Sequence, residues 1–310
     1  MSSPAKLRPV PPPAAFAPAA PHWPLPTAAL RAELEELLAD DIPYGDLTTD
    51  ALGIGAASGT MQFIARDAMV LALVEDAAAI IELAGCRIEL FATSGSVLEP
   101  GSPILTARGP AAALLRSWKV AQTLIEIWSG VATDARAIVD AASAVAPNIA
   151  VACTRKNVPG TKRFAVAAVK AGGAIMHRLG LSETVLVFPE HRAFLGKEPF
   201  VGLVERLRRI APEKRLVVEV NTLEAAIVAA SVGFDVIQAE KFTPAQVALL
   251  VARMAAIGRS RPVVAVAGGI HAGNVAAYAQ AGADVVVTSS PYLARPRDVQ
   301  VRIGPCSADQ

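Results

Sequence analysis

Two cations, a histidine with a third cation, and two carboxylates stand where apolar runs end. Arg155-Lys156 closes Ile149–Cys153, Glu219 closes Leu216–Val218, Glu240-Lys241 closes Val236–Ala239, and His177-Arg178 follows a break at Gly172-Gly173. A guanidinium holds a carboxylate or phosphate in a bidentate fork, and lysine adds a mobile point charge. Arg155, Lys156 and Arg178 therefore describe a pocket for a small anion. The ordinary pKa of His177 lies near neutrality, which suits a structural or a catalytic histidine equally. Glu219 and Glu240, at matched positions on consecutive runs, could hold Mg²⁺ through waters or accept hydrogen bonds from sugar hydroxyls. Gly268-Gly269 follows Val263–Ala267, where glycines let backbone N–H groups approach a phosphate beside a helix N-terminus. Thr288-Ser289-Ser290 after Val285–Val287 offers hydroxyls, Ser289 among them, to the same cradle. The histidines, His22, His177, His191 and His271, show no metal-ligand spacing.

Parallel strands alternating with helices bring such residues together, because all their carboxyl ends lie at one face. The apolar runs end near residues 155, 187, 219, 240, 267 and 288, a spacing of roughly 20 to 32 residues that suits βα units. Six strands are fewer than a full (β/α)8 barrel needs. The pattern predicts an open, incomplete α/β barrel, with a doubly wound sheet as the alternative. Upstream, Thr27–Ala39 has helical spacing with Thr27 as a plausible N-cap. Residues 59–109 read as short strands with one helix near 75–84, a small mixed α/β domain. Ala111–Trp128 and Val131–Ala146 read as two helices parted at Ser129-Gly130. The expected organisation is a disordered Pro/Ala-rich tail over 1–26, an N-terminal α/β domain over 27–129, the barrel over 130–293 and a patternless tail over 294–310. Gly53-Ile54-Gly55 has a dinucleotide look, but no strand precedes it.

Composition narrows the class of function. The chain has 310 residues, 53% of them hydrophobic, so it can bury one large core or two moderate ones. Its 29 basic and 28 acidic side chains leave a net charge of +1, which gives no global field for nucleic acid or anionic membrane. No apolar stretch is long enough to predict a membrane span. Cys86, Cys153 and Cys306 are far apart, and with no signal-peptide pattern the expected setting is a reducing cytoplasm.

Read together, Tyr44-Gly45-Asp46-Leu47-Thr48-Thr49, Ser129-Gly130-Val131-Ala132-Thr133, Thr154-Arg155-Lys156, Pro159-Gly160, His177-Arg178-Leu179-Gly180-Leu181 and Ala267-Gly268-Gly269-Ile270 resemble the motifs of the quinolinate phosphoribosyltransferase family. Pro159-Gly160-Thr161-Lys162, Leu181-Ser182-Glu183-Thr184, Pro189-Glu190-His191-Arg192 and Thr288-Ser289-Ser290-Pro291-Tyr292 favour its ModD branch. The resemblance implies an N-terminal α/β sandwich domain and an open α/β barrel of phosphoribosyltransferase type II, in a head-to-tail homodimer that shares its active sites. It also implies transfer of phosphoribose from phosphoribosyl pyrophosphate to the pyridine nitrogen of quinolinate, with Mg²⁺, and loss of CO₂ to give nicotinate mononucleotide. Matching positions put Arg155, Lys156, His177 and Arg178 around the acid. Glu219 and Glu240 fall at ribose and metal-pyrophosphate, and Gly268, Gly269 and Ser289 at the 5-phosphate.

Three positions depart from that pattern. Phe188 stands where the family's quinolinate enzymes carry a lysine, Lys119 aligns with an arginine that the partner subunit contributes, and Glu240 replaces an aspartate. One lost charge-assisted contact removes about 1.5–3 kcal/mol, or roughly one to two orders of magnitude in affinity for a dicarboxylate. An altered acceptor is expected. Two other readings compete: a Schiff-base lyase using Lys156 or Lys241, and a non-catalytic anion-binding regulator. ModD is associated by name with molybdenum transport, for which no residue here is diagnostic.

Overall fold

A computed structural model of the protein describes residues 27–256 and 261–306. The Pro/Ala-rich segment over 1–26, expected to be disordered, lies outside the described residues. Strands β1 (Ser58–Ala65), β2 (Met69–Val70), β3 (Arg87–Leu90), β4 (Val97–Leu98) and β5 (Pro103–Pro110) come first. Then follow β6 (Ala150–Cys153), β7 (Ile175–Met176), β8 (Val185–Val187), β9 (Leu216–Val220), β10 (Val236–Glu240), β11 (Val263–Ala267), β12 (Val285–Thr288) and β13 (Val299–Pro305).

The second set, β13 aside, forms one sheet in the order β7-β6-β12-β11-β10-β9-β8. Its registered pairs are parallel. Chain neighbours lie side by side, and β12 closes back onto β6. The circuit is broken between β7 and β8, so the barrel is open there. β7 is the strand that periodicity missed, because two residues are too short to show alternation. Two helices of the barrel start at side-chain caps that the sequence supplies. The Thr222 hydroxyl accepts from the Ala225 N–H at 3.2 Å, and Thr243 and Gln246 satisfy each other's backbone ahead of Pro244.

The N-terminal unit is an antiparallel sheet ordered β13-β1-β5-β3. Its edge strand comes from the far end of the chain: β13 pairs with β1 from Gly59↔Pro305 to Ala65↔Val299. The segment expected to be a tail thus completes the first domain's sheet. Alternation in β13 is weak because an edge strand buries little, and only Val299 is buried.

A single helix of 33 residues, Ala111–Ser143, joins the two units. The break expected at Ser129-Gly130 is absent, and its residues are instead docking points. The Ser129 hydroxyl accepts from the Ala72 N–H at 3.0 Å, and the Thr133 hydroxyl accepts from the Val70 N–H at 2.9 Å. A Cβ on Gly130 would collide with the Arg295 carbonyl oxygen. The first helix also starts later than expected, spanning Arg31–Asp41. The Asp76 carboxylate accepts the N–H groups of Ala28 and Ala29 at 3.0 and 2.9 Å, which ties down the non-helical stretch ahead of it.

Candidate active site

The carboxyl ends of the barrel strands open into one cavity of about 720 Å³. Arg155, Lys156, His177, Arg178, Glu219, Glu240, Gly268, Gly269 and Ser289 all line it. Backbone hydrogen bonds fix the rim. The His177 N–H donates to the Cys153 carbonyl and the Thr154 N–H to the Thr288 carbonyl, each at 2.9 Å. Residues after β6, β7 and β12 are thereby held together. The Tyr292 hydroxyl donates to the Thr154 carbonyl at 2.8 Å. Burial pushes the phenol's pKa up, so it remains a neutral donor.

Lys119 is the predicted residue that the structure does not bring to this cavity. It lies on the exposed side of the long helix, where its ammonium donates to the Gln122 side chain at 2.9 Å and sits 3.8 Å from the Trp118 ring centre. Lys156 and Lys241 are both exposed, so neither has the dry surroundings that activate a Schiff-base lysine.

The cationic wall is only partly wet. Arg178 is 6% exposed. Its pKa is lowered by burial and then by the neighbouring Arg155 charge. Among the described residues its guanidinium has no hydrogen bond or ion pair. It does lie 5.5 Å from the Phe188 ring centre, a cation–π contact. Phe188 in turn stacks on His191 at 5.8 Å, and the Phe188 N–H donates to His191 Nδ1 at 3.0 Å. Burial, then Arg178, lower the His177 pKa against the pull of Glu183. His177 is therefore a neutral imidazole at neutral pH, able to donate or accept a hydrogen bond.

The opposite side is acidic. Burial raises the Glu219 pKa; the Gln238 hydrogen bond and Lys156 oppose this, while Glu240 and Glu190 reinforce it. Gln238 Nε2 donates to Glu219 Oε2 at 2.6 Å. The other amide atom, Gln238 Oε1, is buried with no partner among the described residues. Gln238 and Glu240 are two apart on β10 and so share a face. Among the described residues no three His, Cys, Asp or Glu side chains gather as a metal site. The pair Glu219 and Glu240 fits Mg²⁺, which takes one or two carboxylates and completes its shell with water and substrate phosphate.

The phosphate-type cradle is a glycine loop. Gly268 has φ +96°, and a Cβ there would come within 2.8 Å of Lys241 Cγ and 2.9 Å of Glu240 Oε1. Only glycine fits that corner. Asn274 donates to the Gly269 carbonyl at 3.0 Å and accepts from the His271 N–H at 2.9 Å. The short helix after the loop begins at Val275. Gln238, Glu190 and His271 also line the cavity, and the sequence reading gave none of them a role there. Gln238 was detectable as a polar residue inside an apolar strand, in phase with Glu240. Glu190 sits in a five-residue helix, Pro189–Ala193, and His271 on a loop, and neither gives a periodic signal.

Comparison with known proteins accounts for this arrangement. Residues 46–129 match the N-terminal domain of quinolinate phosphoribosyl transferase, and residues 131–302 match its C-terminal domain. The chain belongs to the quinolinate phosphoribosyl transferase family. Within the family it is 48% identical to the pyrophosphorylase ModD of Rhodobacter capsulatus over 243 residues, 78% of this chain and 93% of that one. It is 31% identical to a nicotinate-nucleotide pyrophosphorylase (carboxylating) of Archaeoglobus fulgidus, over 81% of this chain and 94% of the other. Among solved structures, NadC of Streptococcus pyogenes superposes with a TM-score of 0.81 at 24% identity, covering 89% of this chain and 96% of that one. That likeness carries the fold, an open parallel barrel with a separate sheet. Among the described residues no helix is long and apolar enough to cross a membrane.

Proposed function

We propose that this member of the quinolinate phosphoribosyl transferase family transfers phosphoribose from phosphoribosyl pyrophosphate to the ring nitrogen of a small pyridine-carboxylate-like acid. The observation that carries this reading is one cavity holding three subsites: the cations Arg155, Lys156 and Arg178, the carboxylates Glu219 and Glu240, and the Gly268-Gly269 loop with Ser289. The acceptor's nitrogen lone pair forms the bond to ribose C1 as the C1–oxygen bond breaks, and pyrophosphate leaves with that electron pair. Positive charge develops on the ribose, so stabilisation comes chiefly from groups that hold the leaving anion.

Arg155 and Arg178 orient the acceptor carboxylate, and Lys156 adds charge beside it. Glu219 and Glu240 orient ribose hydroxyls and would hold Mg²⁺, which neutralises pyrophosphate when bound. The Gly268 and Gly269 backbone and the Ser289 hydroxyl receive the 5-phosphate. With quinolinate as acceptor, a ring carbon–carboxylate bond then breaks, CO₂ leaves and that carbon takes a proton, giving nicotinate mononucleotide. The name ModD on the Rhodobacter relative and Phe188 beside Arg178 support an acceptor other than quinolinate. The working unit is a homodimer in the cytoplasm, in which Lys119 of one subunit serves its partner's cavity.

The test is pyrophosphate and nicotinate mononucleotide formation by purified protein from quinolinate, phosphoribosyl pyrophosphate and Mg²⁺, with Lys156→Ala as control, followed by an acceptor series. Phosphoribosyl transfer to at least one acid, abolished by Lys156→Ala, is the expected result. Binding of phosphoribosyl pyrophosphate without transfer to any acid overturns the reading.

A further inference from the structure

Where the acceptor meets the gap in the barrel, the cavity is not lined for two carboxylates. On one side stand Arg178 and Arg155, close enough for each charge to be felt by the other. Arg178, 94% buried by its 6% exposure, faces the cavity with no hydrogen-bond or ion-pair partner among the described residues. That is a built site for one carboxylate. Across from it, the residues that follow β8 supply Phe188 and Glu190. The Phe188 ring packs against Arg178 and stacks on His191, so it lines the cavity as apolar aromatic surface and brings no charge. The Glu190 carboxylate is exposed and has no hydrogen bond or ion pair among the described residues, and its charge reaches Glu219 inside the cavity. A second carboxylate on the acceptor would face this acid. A hydrogen-bond donor would satisfy it.

We propose that the acceptor is an aromatic nitrogen heterocycle with a single carboxylate, held by Arg155 and Arg178, and a hydroxyl or amino donor directed to Glu190, its ring packed against the apolar Phe188 side chain. This rests on the phosphoribosyl-transfer reading for its chemistry, while the binding preference stands on the cavity alone. It also gives Glu190 a function, since an unpaired acid whose charge reaches Glu219 adds only repulsion unless a ligand donor meets it.

The experiment is calorimetric binding of four acids: quinolinate, nicotinate, and 2-aminonicotinate and 5-hydroxynicotinate as the donor-bearing probes. The proteins are the full-length chain and its Glu190→Ala and Phe188→Lys variants, with pyrophosphate release from phosphoribosyl pyrophosphate and Mg²⁺ followed in parallel. A donor-bearing acid should bind about tenfold or more tighter than either other acid, as one charge-assisted hydrogen bond allows. Glu190→Ala should abolish that advantage, and Phe188→Lys should favour quinolinate by a similar factor. Glu190 is exposed at the start of a short helix, so its replacement does not threaten the fold, and Phe188→Lys gives an independent reading. Quinolinate binding as tightly as the donor-bearing acids, or an unchanged ranking in Glu190→Ala, overturns the proposal. Selective binding without pyrophosphate release would instead remove the phosphoribosyl-transfer reading and leave the preference standing.

Discussion

Glu219 and His177 are both held against their charged forms, and stability should show it with opposite signs. The Glu219 pKa is raised in the folded chain, so its contribution is present at low pH and is lost as pH rises through that raised value. Glu219→Gln should stabilise the protein by about 0.5–2 kcal/mol at pH 7.5 and lose that advantage as the pH falls towards the ordinary carboxylate range, while transfer activity collapses. Thermal midpoints of the two proteins at pH 7.5 and 5 check this, and a constant difference counts against it. The His177 pKa is lowered, so the unfolded chain takes up a proton first and stability drops as pH falls below the ordinary imidazole value. A His177→Asn variant should therefore lose less stability than the parent between pH 7 and 5 by chemical denaturation. A parallel loss in both proteins would place the protonation elsewhere.

At the scale of elements, the long helix is a spine whose polar residues are fasteners. Gly130→Ala would gain about 1 kcal/mol from helix propensity in an exposed helix. Here the new methyl meets the Arg295 carbonyl, and overpacking of this kind costs about 1–3 kcal/mol. Thr133→Val leaves the Val70 N–H without its acceptor, a loss of about 1–3 kcal/mol. Both variants should lower the urea midpoint, and a rise for Gly130→Ala would mean that the Arg295 segment does not rest there. These two residues also show what the sequence could reveal. The pair Ser129-Gly130 carries the mark of a helix break, because small polar residues commonly end helices; tertiary docking overrides it. The Val-rich barrel strands were legible because buried parallel strands are nearly continuous apolar runs, and the acids and cations at their ends marked the site. β7 was too short to see, and β13 pairs with a strand more than 200 positions away. No local pattern carries that information.

The whole molecule adds a problem that a single chain does not solve. Seven strands leave the barrel open between β7 and β8, where the acceptor wall lies. Lys119 stays outside the cavity, on the helix that carries the N-terminal unit. If a second subunit's N-terminal unit covers the opening, each cavity of a symmetric pair takes Arg178 from one chain and Lys119 from the other. The two residues would then belong to separable halves of one site. Lys119→Ala and Arg178→Ala proteins should each be nearly inactive alone. Equal mixing and subunit exchange make half the dimers mixed, each with one intact site, so about a quarter of the parental activity should return. Lys119 carries a cation–π contact and one exposed hydrogen bond, so its removal should leave stability within about 0.5 kcal/mol of the parent, and a lost activity cannot be blamed on unfolding. If exchange is verified by tagged subunits and no activity returns, Lys119 has no place in the partner's site.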